Sequence, residues 1–125
     1  MSTHVPENTN DLPVLDEAQF DAVCGGDHEF EAILAAEFRN STLPVIAEIA
    51  EAITARNPGR ISALAHSIKG SSSTLGGKAL AHHCRRFENF AGGEPDWALA
   101  ATLLIELRTA FEQFDQSLQA KASAG

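Results

Sequence analysis

The stretch NPGRISALAHSIKGSSSTLGG, residues 57–77, carries the start signal, the buried face and the stop signal of one helix. Asn57 followed by Pro58 is typical of a helix N-terminus, because the Asn side chain caps free N–H groups and proline fits the first helical position. Gly76 and Gly77 indicate where the helix ends. At about 100° per residue, one side of this helix collects five apolar residues and a serine. They are Ile61, Leu64, Ala65, Ile68, Ser72 and Leu75. The stretch therefore predicts an amphipathic helix from residue 58 to about residue 75.

Similar signals on both sides of this stretch predict four more helices. An aspartate that can cap the helix precedes three of them, and glycine pairs separate several from their neighbours. The predicted ranges are 17–24 after Asp16, 28–56 after Asp27, 78–91 after Gly76-Gly77, and a last helix after Asp96. Pro44 lies inside the second range, where we expect a kink near residues 40–44 and no break, because the apolar pattern resumes in phase.

The longer helices each have one apolar face, and no segment alternates apolar and polar residues as a half-buried strand does. In the range 28–56 the predicted face is Phe30, Ile33, Leu34, Phe38, Val45, Ile46, Ile49 and Ile53. Four amphipathic helices with short connections predict an all-α fold, namely an antiparallel up-and-down four-helix bundle with a short additional N-terminal helix across one end. We expect the bundle to occupy residues 14–120, between a flexible lead-in of residues 1–13 and a frayed tail of residues 121–125.

The composition is typical of one soluble domain. The 125 residues are 44% hydrophobic and 21% charged, which suits a single core of ordinary size. No apolar run approaches the roughly 20 residues that cross a bilayer, and the N-terminus lacks a signal-peptide pattern. We therefore expect a cytoplasmic monomer with no membrane partner.

The charge argues against a nucleic-acid partner. The formal net charge is −8, whereas binding to a phosphate backbone depends on clustered lysine and arginine. The only local excess is Arg85-Arg86 after His82-His83. On a helix these four side chains spread around the circumference, so we interpret them as a solvated face.

Neither the cysteines nor the adjacent histidines form a metal-binding pattern. Cys24 and Cys84 are too far apart in sequence to form a pair of metal ligands, and we expect both to be reduced core residues. A site made of His82, His83 and Cys84 is disfavoured because adjacent helical side chains point about 100° apart. We expect this chain to bind no metal ion and no other cofactor.

His66 is the candidate functional residue of the first stretch. It projects roughly 150° away from the centre of the buried face. Apart from Lys69, its neighbours on that side are small: Gly59, Ser62, Ala63, Gly70 and Ser73. Gly70 costs about 1 kcal/mol relative to alanine inside a helix, which suggests that something approaches the backbone closely there. An accessible nucleophile and an incidental surface histidine are both compatible with this pattern.

Two charged residues favour the nucleophile. Lys69 lies three residues after His66, within reach of any group attached to the ring, and an ammonium can balance the charge of a phosphoryl group. In an antiparallel hairpin about Gly76, Glu88 is nearly level with His66. Its carboxylate could accept the Nδ1 proton, leave Nε2 as the attacking atom and stabilise positive charge on the ring. Glu88 as an ordinary surface carboxylate stays the alternative.

The run HSIKGSS at residues 66–72, followed by Leu75-Gly76, Leu80 and Cys84, resembles the histidine-containing phosphotransfer (HPt) domain. The resemblance covers roughly residues 14–120. It implies that His66 accepts and donates a phosphoryl group, that Lys69 stabilises it, and that a partner approaches closely at Gly70. Members of that family commonly have Gln, sometimes Glu, next to the imidazole, and Glu88 is in the position to fill that role.

The resemblance also implies partners and a mechanism. The phosphoryl group would pass reversibly between aspartates of two receiver domains, one in a hybrid histidine kinase and one in a response regulator, with Mg²⁺ held by the receiver. The docking candidates are Leu15, Ala18, Ala22, Ala63, Ser67 and Ser73. The sequence has no nucleotide-binding loop, so we expect a stoichiometric carrier without ATP binding. A non-catalytic helical adaptor that binds receiver or kinase domains is the alternative. Met1 and the lead-in suggest a free-standing protein, although a domain from a hybrid kinase could look similar.

Overall fold

The computed structural model describes residues 12–124, and every regular element in this range is a helix. The helices are α1 (Glu17–Cys24), α2 (His28–Thr54), α3 (Pro58–Thr74), α4 (Lys78–Ala91) and α5 (Ala100–Ser123), and a 3-10 turn (Trp97–Leu99) leads directly into α5. Helix α2 packs on α3, α3 on α4, α4 on α5, and α5 on α2, while α1 contacts α2 and α3. The predicted all-α four-helix bundle with an added N-terminal helix is confirmed. The first eleven residues of the predicted lead-in lie outside the described residues.

The predicted N-caps are present at the helix starts. The side chains of Asp16, Asp27 and Asn57 each accept a hydrogen bond from the backbone N–H three residues later, at 3.1–3.2 Å. Asp96 differs, because its side chain caps the 3-10 turn through the N–H of Ala98, and the α-helix itself begins at Ala100. Each cap satisfies an N–H group that the helix leaves unpaired.

Helix α2 continues through Pro44 without a break, as predicted, and ends at Thr54. It is two residues shorter than predicted because Arg56 takes a left-handed conformation with φ of 51°. The N–H of Asn57 then bonds to the carbonyl of Ala52 at 2.9 Å, which closes the helix before α3 begins.

The predicted apolar face of α2 is wrong near its N-terminus. Phe30 is 39% exposed and Ile33 is 61% exposed. Phe38, Ile46 and Ile49 are buried as predicted, and the other buried residues of α2 are Glu31, Ala35, Thr42 and Ala52. These positions keep one helical phase over the whole length, and the buried carboxylate of Glu31 is satisfied by Nδ1 of His28 at 3.0 Å. Packing along the full helix therefore outweighs the local hydrophobic pattern.

The tail also differs from the prediction, because α5 continues to Ser123 where fraying was expected from residue 121. Lys121 lies 3.2 Å from a carboxylate oxygen of Glu17 and 3.1 Å from one of Asp21. These ion pairs join the end of α5 to α1. Side-chain contacts across the bundle thus order a segment that has no apolar pattern of its own.

The turn between α3 and α4 requires glycine at two of its three positions. Gly76 has a φ of 91°, and a Cβ there would lie 2.7 Å from the carbonyl oxygen of Asp16. A Cβ on Gly77 would lie 2.8 Å from the ring of Phe114. The N–H of Gly77 bonds to the carbonyl of Ser72 at 2.7 Å, which ends α3 in a Schellman-type turn. The segment before α1 and helix α5 both pack against this turn, and these contacts hold the hairpin of α3 and α4 in place.

The core lies between the four long helices and includes both cysteines. Cys24 and Cys84 are buried free thiols, as predicted. Burial raises the pKa of the Cys84 thiol to about 12, so this side chain is not a nucleophile at neutral pH. The buried side chains of α3 and of Leu75 directly after it match the predicted face: Ile61, Leu64, Ala65, Ile68, Ser72 and Leu75.

None of the helices found within residues 12–124 is long and apolar enough to cross a membrane.

Candidate functional site

His66 lies in the middle of α3, on the side that faces solvent. Its side chain is 70% exposed, because the opposite side of α3 packs into the core. The predicted small neighbours leave the ring accessible, since Gly59, Ala63, Gly70 and Ser73 are exposed and Ser62 is half-buried. The imidazole can therefore be reached from outside the protein.

Glu88 on α4 fixes the orientation of the ring. The hairpin places it beside His66, and Oε2 lies 2.9 Å from Nδ1. A carboxylate oxygen with a lowered pKa can only accept a hydrogen bond, so Nδ1 must carry the proton. In the neutral ring, Nε2 then has the free lone pair. The contact that the hairpin register predicts is present, and it sets the tautomer that a nucleophilic histidine needs.

The second oxygen of Glu88 binds Lys69. Oε1 accepts a hydrogen bond from the Lys69 ammonium, so one carboxylate joins the ring and the cation. Partial burial opposes ionisation of Glu88, but the hydrogen bonds from Lys69 and His66 outweigh it and lower the pKa of the carboxyl below its ordinary value. Glu88 is therefore an anion at neutral pH, and the attached ammonium offsets its charge beside the ring.

Gly70 has no structural reason to be glycine within the described chain. A Cβ there would meet no atom within 4 Å, and its φ is not in the left-handed region. An alanine at this position would stabilise α3 on helix propensity alone. This contrasts with the turn glycines, which the fold requires.

Comparison with known proteins places this chain in a family. A family model described as the Hpt domain matches residues 33–117, which is more than half of the chain. The chain belongs to the Hpt domain family. Hpt proteins are phosphocarriers of phosphorelays and not ATP-binding enzymes, and their partners are receiver domains. Membership therefore gives this chain a histidine phosphotransfer role in a phosphorelay.

Individual relatives of this Hpt domain agree with the family assignment. Multistep phosphorelay regulator 1 of Schizosaccharomyces pombe is 28% identical over 88 residues, which are 67% of this chain and 30% of the relative. The chain thus spans less than a third of that relative's length. HptB, a histidine-containing phosphotransfer protein of Pseudomonas aeruginosa PAO1, has a TM-score of 0.78 at 22% identity, covering 90% of this chain and 97% of that one. A rice protein assigned as a histidine-containing phosphotransfer protein has a TM-score of 0.70 at 22% identity, covering 85% and 80%. Both structures share the fold.

Helix α1 of this Hpt domain lies beside the C-terminal end of α3. Nε2 of Gln19 donates to the carbonyl oxygens of Ser73 and Thr74, the latter at 3.1 Å. Asp16 pairs with Lys78 at the start of α4, at 3.1 Å. Sequence reasoning did not identify Gln19 as the anchor of α1, because a glutamine on a short helix carries no signal of its distant partner.

The predicted docking residues fall into two groups by burial. Ala18, Ala22, Ala63, Ser67 and Ser73 are exposed, whereas Leu15 is half-buried and packs against the core. Their role in docking stays a prediction.

A groove beside the site is a feature that the sequence interpretation missed. This groove, here called the α3–α4 groove, has a volume of about 630 Å³. It is lined by Leu12, Gln19, Lys69, Gly70, Ser73, Lys78, Ala81, His82 and Arg85. The hairpin register that brings Glu88 to His66 also brings Arg85 level with Lys69, and this signal could have found the groove.

His82, His83 and Cys84 do not converge on one point. The rings of His82 and His83 stand 75° apart with centroids separated by 5.8 Å, and Cys84 is fully buried. Between residues 12 and 124, no three or more His, Cys, Asp or Glu side chains are grouped closely enough to hold a metal ion.

Proposed function

We propose that His66 reversibly carries a phosphoryl group between receiver-domain aspartates in a multistep phosphorelay. The observation that carries this proposal is the exposed imidazole of His66, whose Nδ1 is held by Glu88 at 2.9 Å while Nε2 is left free. Membership of the Hpt family supports the same chemistry.

The transfer step needs only the ring nitrogen and an aspartyl phosphate. The lone pair of Nε2 attacks phosphorus, the N–P bond forms, and the P–O bond to the receiver aspartate breaks to release its carboxylate. The ring becomes cationic, and its Nδ1 proton stays shared with Glu88. The reverse step passes the phosphoryl group to an aspartate of the next receiver and restores the neutral ring.

Glu88 and Lys69 have opposite charges near the phosphoryl group, and the contact between them offsets the negative charge of Glu88. Glu88 stabilises the positive ring but adds negative charge near the phosphoryl oxygens. The Lys69 ammonium on the other oxygen of Glu88 neutralises that charge and lies one helical turn from His66. A loose phosphoryl-transfer transition state depends mainly on such positioning and charge stabilisation.

The partners follow from this chemistry. One receiver, within a hybrid histidine kinase, delivers the phosphoryl group, and the receiver of a response regulator takes it. Mg²⁺ held by the receiver supplies further charge neutralisation during transfer. The chain works as a monomeric, stoichiometric carrier that binds neither ATP nor a cofactor of its own.

The deciding experiment uses His66→Gln. Receiver domains from the genome that encodes this chain are phosphorylated with acetyl phosphate, mixed with the protein, and assayed for acid-labile, base-stable label. We expect label on the wild type and none on His66→Gln. The melting temperature should be nearly unchanged, because the side chain makes no core contact.

His28→Gln is the matched control and should be labelled like the wild type, because His28 is an exposed histidine on α2 that does not line the α3–α4 groove. If receivers bind the wild type but no receiver labels it, the chain is a non-catalytic adaptor and the proposal is wrong. A large fall in the melting temperature of His66→Gln would show instead that the ring has a structural role.

A further inference from the structure

The α3–α4 groove begins one helical turn beyond His66 and extends onto α4. Lys69 and Gly70 form its border with the site, and Lys78, His82 and Arg85 line it from α4. Arg85 precedes Glu88 by three residues, which is about 4.5 Å along the helix axis. A molecule bound at Nε2 of His66 therefore lies close enough to extend into the groove.

The lining of the groove is cationic in a chain whose formal net charge is −8. Three of its lining residues are Lys or Arg, and no Asp or Glu between residues 12 and 124 lines it. Lys78 pairs with Asp16, but its side chain is 49% exposed and that of Asp16 is 28% exposed. Arg85 is exposed and makes no ion pair with any residue from 12 to 124. The surface of the groove therefore presents more cationic than anionic groups to a partner.

The phosphorylation site of the receiver that donates the phosphoryl group is anionic. An aspartyl phosphate carries negative charge, and a site that holds Mg²⁺ beside it must present further carboxylate oxygens. A chain of net charge −8 repels such a partner at long range, so complementary charge has to be local. The α3–α4 groove is the cationic surface next to His66.

We infer that the α3–α4 groove is a docking surface for the acidic rim of the receiver's phosphorylation site, with Arg85 and Lys78 attracting that rim. This inference rests on the proposed function and deepens it. It adds α4 to the docking surface that the sequence predicted on α1 and α3. Gly70, on the shared border, lets the partner's backbone approach both surfaces at once.

Arg85→Glu tests the groove without touching the transfer machinery. The receiver domain that labels His66 fastest serves as the probe, and the rate of labelling is measured against receiver concentration. We expect the half-maximal concentration to rise about tenfold, with the rate at saturation unchanged, because charges at the rim of an interface act on association. Near 1 M salt the Debye length is only about 3 Å, so charges are strongly screened. The difference in half-maximal concentration between Arg85→Glu and the wild type should then largely disappear.

Arg108→Glu is the matched control. Arg108 is an exposed arginine on α5 that lines a different, smaller groove between α2 and α5. The order of helix contacts puts that groove on the side of the bundle opposite α3 and α4. Since both substitutions change the net charge equally, Arg108→Glu should leave the half-maximal concentration close to that of the wild type.

Three results would overturn the inference. Equal effects of the two substitutions would show that only net charge matters. An unchanged half-maximal concentration in Arg85→Glu would place docking elsewhere, while the proposed function stands because His66 is still labelled. If Arg85→Glu instead abolishes self-association in sedimentation and leaves receiver binding intact, the groove binds a second copy of this chain. A wild type that takes no label from any receiver would refute the proposed function itself.

Discussion

Three side chains, His66, Glu88 and Lys69, form one hydrogen-bonded network that crosses from α3 to α4. The carboxylate at its centre has two separable properties, its shape and its charge. An amide of the same shape can still accept the Nδ1 proton, but it cannot stabilise a cationic ring or hold an ammonium equally well. Substitution of Glu88 therefore separates orientation of the ring from stabilisation of its charge.

For Glu88→Gln we expect transfer to His66 to slow by about tenfold, which corresponds to about 1.4 kcal/mol in the barrier. Glu88→Ala removes orientation as well and should be slower still. The measurement is the initial rate of label transfer from a saturating phosphorylated receiver. Equal rates for the wild type and both variants would make Glu88 an ordinary surface carboxylate. Equal rates for the two variants would show that charge alone matters.

Gly70 is a glycine that the fold of α3 does not need. Gly70 lies in the helix interior with open space where a Cβ would be, whereas Gly76 in the turn after α3 has a φ of 91° and a Cβ would meet Asp16. The two glycines are close in sequence, but only Gly76 is explained by packing. Opposite responses to alanine should distinguish them.

Gly70→Ala should raise the free energy of unfolding by about 1 kcal/mol, or roughly 4 °C in melting temperature, while it slows phosphoryl transfer by obstructing the partner. Gly76→Ala should lower the free energy of unfolding by at least about 2 kcal/mol, because it adds a strained φ to a backbone clash. Thermal unfolding and transfer rates on the same samples check both. A stabilised Gly70→Ala with wild-type transfer would show that nothing approaches that backbone closely.

At the scale of the whole molecule, the sequence was most informative where signals are local. Caps, turn glycines and the face of α3 depend on neighbours within one or two turns, and these predictions agree with the structure. The contact of Glu88 with His66 could also be predicted, because the hairpin turn is short and fixes the register of α3 and α4.

What the sequence did not predict depends on contacts between distant segments. The burial of Glu31 and the exposure of Ile33 follow from the phase of all of α2 against three other helices. The order at the end of α5 depends on Lys121 meeting α1 across the bundle. The α3–α4 groove combines Leu12 and Gln19 with residues of α3 and α4. The register of the hairpin could have placed Arg85 beside Lys69, but it carries no information on Leu12 and Gln19, which come from a distant segment.

Three groups within residues 12–124 have lowered pKa values, namely His83, Glu88 and Asp16. Each of them makes the fold less stable as the pH falls. Burial, with Arg86 and His82 nearby, lowers the pKa of His83 below its ordinary value of 6.5 although Glu106 opposes this shift. Below pH 6.5 the unfolded chain therefore binds a proton at this histidine that the folded chain does not. The stability that the fold has with a neutral His83 is present above pH 6.5 and is lost as the pH falls below it. The pKa of Glu88 lies below its ordinary 4.5, and the pKa of Asp16, held down by hydrogen bonds from Gln19 and Lys78, lies below its ordinary 3.8. Protonation of these two carboxylates causes a second loss of folding stability at lower pH.

The melting temperature should therefore fall in two steps on acidification, and the first step should belong to His83. Protonation of carboxylates also relieves repulsion within a chain of net charge −8, so the first step is best measured as the difference between the wild type and His83→Gln from about pH 7.5 to about pH 5.5. We expect His83→Gln to be less stable at the upper end, since it disturbs a buried position, and to lose less stability on acidification. Parallel profiles for the wild type and His83→Gln would show that the buried imidazole is protonated equally in both states, and that acid destabilisation of this bundle comes from its carboxylates alone.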